Sequence, residues 1–165
     1  MSKSSATLYF MCGKMAAGKT ALSKQLARAH NAVLLNQDDW LDALYPGEIV
    51  NIADYVRCSG RLRDALTPLI VDLLMRGTSV VLDHPGNTRK QRVWFRDLIG
   101  RTKAPHELHF VDVDNDTCKR QLKQRSAVLP AGSAWTTDAD FDAMTAYFQA
   151  PENDENFSVI RHERA

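Results

Sequence analysis

The sequence predicts an α/β fold: a parallel sheet, doubly wound, with helices on both faces. Three observations carry that reading. Short apolar runs rich in β formers alternate with longer stretches of helical periodicity along the whole chain. The clearest of these runs is apolar without alternation, as a strand buried on both faces requires. No repeat, low-complexity linker or convincing boundary interrupts the 165 residues, so a single domain spanning 1–165 is expected.

The elements follow in order. Ala6–Cys12 (ATLYFMC) reads as a central strand. Ala17–His30 carries helical spacing through Leu22, Leu26 and Ala29. Ala32–Asn36 is a second short strand, with a short helix over Asp39–Leu44 behind it. Ile52–Arg76 is a long helix, because Val56, Leu62, Leu66, Leu69, Ile70, Leu73 and Leu74 recur at three and four and Gly77 closes it. Pro68 inside that stretch predicts a kink or a split. Ser79–Asp83 (SVVLD) is the third strand and ends in a carboxylate. Arg89–Gly100 is helical, with Val93, Leu98 and Ile99 expected inward and Arg89, Arg92 and Arg96 expected mostly on the solvated side. Glu107–Val113 is the fourth strand, Asp116–Arg125 and Asp138–Gln149 are helices, and Phe157–His162 is the last strand. Between those helices, 126–137 holds Pro130, Gly132, two serines and two threonines, which break the periodicity and suggest a mobile lid.

Composition narrows the function classes. A net charge of +1 gives no global reason to expect a polyanion or an anionic membrane, although it leaves room for a local basic groove. Cys12, Cys58 and Cys118 are too scattered for a zinc site and odd in number for a disulfide framework, so they read as buried or incidental thiols. No apolar run approaches the roughly 18 residues of a membrane span, and a cytoplasmic location is the default expectation.

The strongest signal is Gly13-Lys14-Met15-Ala16-Ala17-Gly18-Lys19-Thr20, a full match to GxxxxGK[ST]. It leaves an apolar strand and opens a helix, where successive N–H groups and the helix N-terminus converge on phosphate oxygens. Gly13 and Gly18 permit the turn, Lys19 is placed for the β- and γ-phosphates, and the Thr20 hydroxyl for Mg²⁺. A nucleotide such as ATP, with Mg²⁺, is the expected ligand.

In an open α/β sheet, ligands sit outside the carboxyl ends of the strands, and two acidic features fall there. Transfer of a phosphoryl group to an alcohol needs a group to orient the hydroxyl and take its proton. Asp38, in Asn36-Gln37-Asp38-Asp39-Trp40, is the first choice for that base and Asp39 the second; the competing reading is that one of the two only caps the helix. Asp83 ends an apolar strand and suits Mg²⁺ directly or through water, and the sequence leaves open how it divides the metal with Asp38. His84, beside it, is a candidate acceptor contact. Charge on the transferring group calls for cations, and Arg120 and Arg125 flank the start of the lid. Arg57 and Arg61, four apart on the long helix, are candidates for an anionic acceptor or for pairing with Asp54 and Asp64.

Taken together, GKMAAGKT, NQDDW, YVRCSGRLRDAL, VVLDHPGNTRKQR, CKRQLKQR and the tail YFQAPENDE, in that order, resemble the predicted kinases of the AAA_33 type, relatives of the zeta toxins, chloramphenicol phosphotransferase and the 5′-hydroxyl polynucleotide kinases. The likeness runs from about Thr7 to Glu155. It implies a three-layer P-loop NTPase fold, adenylate-kinase-like with a small lid, and ATP·Mg²⁺ as donor. It also implies Lys19 and Thr20 on the nucleotide, Asp38 activating the acceptor, and Arg120 or Arg125 as lid arginine. Polynucleotide kinases of this group carry an arginine three residues after that aspartate. Leu41 stands there in this chain, which argues against a nucleic-acid acceptor without excluding one. The leading expectation is therefore an ATP-dependent kinase acting on a hydroxyl of a small molecule. An NTP hydrolase and a non-catalytic ATP-binding regulator are the alternatives, and oligomeric state is open.

Overall fold

In a computed structural model, residues 5–127 and 137–164 are described. The segment expected to form the lid, 126–137, falls almost entirely on 128–136, outside the described residues. The strands are β1 (Leu8–Cys12), β2 (Val33–Asn36), β3 (Val80–Asp83), β4 (His106–Val113) and β5 (Val159–Arg164). The helices are α1 (Lys19–Ala29), α2 (Gln37–Leu44), α3 (Ile52–Met75), α4 (Arg89–Thr102), α5 (Asn115–Ser126) and α6 (Asp138–Thr145), and a 3₁₀ turn spans Asn153–Glu155. All five strands run parallel in the order β2-β3-β1-β4-β5.

β1 lies at the centre because every one of its side chains is apolar and buried. Its period of two divides them between the faces. Leu8, Phe10 and Cys12 meet Leu62, Leu66, Ile70, Phe95 and Leu98 of α3 and α4. Tyr9 and Met11 join Leu22, Cys118, Leu122 and Phe141 of α1, α5 and α6 on the other side. The three cysteines are free and buried, as expected. No described helix is long and apolar enough to cross a membrane.

Two expectations are corrected here. Pro68 does not split its helix, which is continuous from Ile52 to Met75. Proline inside a helix costs about 3 kcal/mol, but Leu62, Leu66, Ile70 and Leu74 are at most 6% exposed and contribute about 1.5–3 kcal/mol each as an upper estimate. Pro68 itself lies on the solvent side. On α4 the inward face is Arg92, Phe95 and Leu98, while Val93 is 65% exposed. Val93 and Leu98 differ by five positions, or 140° around a helix, and cannot both point inward; Arg92 takes the place given to Val93.

Arg92 is 1% exposed and fully partnered. Its guanidinium donates to Glu155 Oε1 at 2.8 Å and Oε2 at 3.0 Å, to the Gly86 carbonyl at 2.9 Å and to the Gln149 carbonyl at 2.8 Å. One buried arginine thus joins α4, the loop after β3 and the segment after α6. That loop packs without slack. A β-carbon on Gly86 would stand 2.5 Å from the Met11 carbonyl oxygen and 2.7 Å from the Phe95 ring. Gly86→Ala should cost about 1–3 kcal/mol as an overpacked site, seen as an earlier urea midpoint; an unchanged midpoint would mean the loop yields freely.

Candidate active site at the P-loop

The parallel sheet carries the carboxyl ends of β1, β2 and β3 to one edge, and the chemistry-bearing residues gather there. β1 ends at Cys12 and the chain turns through 13–18 into α1. Ala16 (φ 61°) and Gly18 (φ 105°) both take left-handed backbone, a conformation only Gly18 adopts without steric cost. Close approach constrains Gly13: a β-carbon there would lie 2.9 Å from the Val111 carbonyl. The Gly13 N–H donates to Asn87 Oδ1 at 2.9 Å, which anchors the loop to the segment after β3. Gly18 N-caps α1 with no side-chain acceptor, and the first turn holds no acid. The first-turn amides therefore stay available to an anion.

Lys19 folds over the loop. Its ammonium donates to the Gly13 carbonyl at very short range and to the Lys14 carbonyl at 3.2 Å. Desolvation lowers its pKa, while the nearby Cys12, Asp83, Cys118 and Asp38 pull the other way. Lys14 points elsewhere, to Asn115 Oδ1 at 2.8 Å and the Val113 carbonyl at 3.3 Å, so its backbone alone belongs to the cradle. Met15, Ala16 and Ala17 pack against the α1-side core.

Thr20 and Asp83 meet directly. The Thr20 hydroxyl donates to Asp83 Oδ2 at 2.8 Å, and the Asn36 amide donates to the same oxygen at 2.7 Å. Two adjacent corners of an octahedron with bonds of 2.0–2.1 Å lie about 2.9 Å apart, so the spacing of this oxygen pair fits Mg²⁺ once the Thr20 hydroxyl proton turns away. Among the described residues no group of three or more His, Cys, Asp or Glu forms a closed metal site.

Asp38 lies in the first turn of α2, whose N-cap is Asn36; the Asn36 side chain accepts from the Asp39 N–H at 3.0 Å. Neither aspartate caps the helix, because Gln37, not Asp39, is its first residue. Desolvation raises the Asp38 pKa above 3.8, the negative charges of Asp83 and Asp42 add to it, and Lys19 and Arg125 oppose. The Asp38 side chain is nonetheless exposed to solvent, which screens much of that shift. The carboxylate therefore shares one electrostatic neighbourhood with Asp83, Lys19 and Arg125. Asp39 is exposed.

The remaining sequence candidates divide. Arg125 reaches the site through its charge on Asp38. Arg120 donates to Thr117 Oγ1 at 3.2 Å, at the beginning of α5. Arg57 is exposed and pairs with Asp54 at 2.9 Å, and Arg61 is exposed. Both lie roughly 200° around α3 from Ser59, on the far side from the site. For Arg57 the pairing with Asp54 is the alternative the structure shows, and the arginine nearer the inner face of this helix is Arg63. His84 is 2% exposed, with its ring centroid 5.1 Å from that of Trp94, and burial pushes its pKa down to about 3. Neither ring nitrogen has a hydrogen-bond partner among the described residues.

Several site residues carried no signal in the sequence. Asn36 and Asn87 brace Asp83 and Gly13. The Arg164 guanidinium comes within 3.1 Å of a β-carbon placed at Gly18, brought there by β5. Gln37 and Tyr55 are hydrogen-bonded at 2.8 Å beside Asp38.

A parallel sheet of this order, with a glycine-rich loop between its central strand and a helix, defines a P-loop nucleotide-binding fold of the kinase type. The chain belongs to the AAA_33 family, described as an AAA domain, whose model matches residues 8–151. Nothing among curated protein sequences matches it significantly. Among solved structures it is similar to a protein of Chloroflexus aurantiacus assigned as a kinase, with a TM-score of 0.75, 18% identity and coverage of 96% of this chain and 88% of that one. APS kinase CysC of Mycobacterium tuberculosis, solved with AMPPNP and APS, matches at TM-score 0.66 and 18% identity over 97% and 90% of the two chains. Kti12 of Chaetomium thermophilum, solved with ADP-AlF3, matches at 0.68 and 15% over 94% and 88%. At these identities the likeness is one of fold.

Proposed function

We propose that this protein is a kinase that transfers the γ-phosphate of ATP to a hydroxyl group of a small molecule. The observation that supports it most is the meeting at one sheet edge of a phosphate cradle, an oxygen pair spaced for Mg²⁺, and a separate carboxylate, Asp38, within reach of Lys19 and Arg125. A site that only bound nucleotide would have no use for that additional carboxylate.

Each residue then has a task. Amides of 13–20 and the α1 N-terminus hold the phosphates. Lys19 leaves the loop carbonyls for the β- and γ-phosphate oxygens and neutralises charge there. Thr20 and Asp83 would hold Mg²⁺, which would supply positive charge to offset that of the phosphates. Asp38 accepts the hydroxyl proton of the acceptor as its oxygen attacks, and Arg125 balances the charge that spreads over the transferring group.

Label transfer from γ-labelled ATP with Mg²⁺, over a panel of sugars, nucleosides, antibiotic alcohols and 5′-hydroxyl oligonucleotides, tests this. Label should appear on one acceptor class and fall about 100- to 1,000-fold in Lys19→Ala, a loss typical of a preorganised charge at the transition state. Label released only as free phosphate, whatever the acceptor, would move the protein to the hydrolases.

A further inference from the structure

Behind Asp38 lies a polar seam that the nucleotide site does not use. Tyr55, Ser59 and Arg63 recur every four residues on α3, so they line one face and step about 6 Å apart along the axis. Gln37 of α2 closes one end through its 2.8 Å bond to the Tyr55 phenol. His84, after β3, closes the other, where the Arg63 charge acts on it. Gln37, Ser59 and His84 are at most 3% exposed, yet Gln37 Oε1, Ser59 Oγ and both His84 ring nitrogens lack partners. Ser59 is near enough to Tyr55 to influence its ionisation without a hydrogen bond of ordinary geometry. Buried polar atoms are nearly always paired, so four orphans in one seam point to a ligand that supplies their partners.

The charges say which kind. Burial pushes the Tyr55 phenol up to about 12, so it is neutral at ordinary pH. Arg63 is half-buried, and no carboxylate pairs with it among the described residues. Among the described residues it is therefore the one fixed cation of this seam, with the Asp38 carboxylate at the opposite end.

We infer that the acceptor is a small alcohol bearing an oxyanion, a carboxylate or a phosphate, seated with that group on Arg63, its polar body along Gln37, Ser59 and His84, and its hydroxyl at Asp38. This rests on the kinase reading above. The planar guanidinium fork matches an oxyanion bidentately. The reversed pose sets the anion against Asp38 and is repelled, so the charge pair also fixes which hydroxyl reacts.

The test is label transfer with matched pairs of acceptors: glycerol and glycerate, glucose and gluconate, ribose and ribose 5-phosphate. The acidic member should be the better substrate by at least tenfold in kcat/KM, and the third pair separates a phosphate reader from a carboxylate reader. Arg63→Met should abolish the preference by raising the acceptor KM about 10- to 100-fold with kcat and ATP affinity little changed, and Arg63→Lys should restore part of it. Efficient transfer to the neutral members, or a preference that survives Arg63→Met, would overturn the acid-reading site while leaving the kinase intact. No transfer to any acceptor by a protein that binds ATP would overturn both.

Discussion

Asp38→Asn should bind ATP as the parent does and transfer phosphate about 100- to 10,000-fold more slowly, the usual contribution of a positioned general base. In free energy that is roughly 3–5.5 kcal/mol at 1.36 kcal/mol per decade. The amide keeps the shape of the carboxylate and loses its charge and its ability to take a proton, so a fall in kcat with ATP affinity held is the expected split. The pH profile gives an independent reading. Partial desolvation at the site and the neighbouring Asp83 and Asp42 raise the Asp38 pKa from 3.8. The active form is the carboxylate, so transfer declines as pH falls through that raised value, and Asp38→Asn should lose this limb altogether. If Asp39→Asn produces the collapse instead, the base has been misassigned. Equal losses in kcat and ATP affinity would make Asp38 a binding group.

Arg92→Met should destabilise the fold by about 3–5 kcal/mol, the cost of leaving a buried ionic partner alone. Glu155 would remain with 9% of its side chain exposed, and the Gly86 and Gln149 carbonyls would lose their donor. The linkage has a definite sign. Burial disfavours the Glu155 carboxylate, but the Arg92 hydrogen bonds, the Glu152 backbone N–H and the charges of Arg92 and Arg89 together outweigh it and lower the pKa from 4.5. Stability from this pair is present above the unfolded value and is lost as pH falls through the depressed folded one. A urea titration at pH 7 and at acid pH reads both effects. The gap between parent and Arg92→Met should narrow below about pH 4; the same gap at both would assign the loss to packing alone. The double variant Arg92→Met with Glu155→Gln should recover part of the stability, because two neutral groups replace a stranded charge.

The sequence made the sheet legible because a parallel strand buried on both faces must be apolar along its buried length, and LYFMC and the first three residues of VVLD are. The phosphate cradle was legible because its residues are contiguous and each has a backbone reason to be there. The acceptor side was not. Gln37, Tyr55, Ser59, Arg63 and His84 come from three elements, and only tertiary packing turns the face of α3 that carries Arg63 inward and leaves Arg57 and Arg61 outside. The same cause hid Arg92. An arginine at i+3 from Arg89 looks like a solvated ladder until a segment some 60 residues later supplies its acid and carbonyls. The N-cap at Asn36 moved α2 two residues earlier than expected, a shift typical of helix ends.

The order of the strands has a consequence for a chain still being made. β1 is central, yet its two neighbours, β3 and β4, pair with it through residues about 70 and about 100 positions further on. At a synthesis rate of roughly 5–20 residues per second, an apolar ribbon ending in the glycine-rich turn waits several seconds before either edge is covered. During that interval the strand on which the whole molecule is later built is its stickiest part. Nascent-chain protection, rather than the durability of the finished fold, is then where this architecture is most exposed to failure.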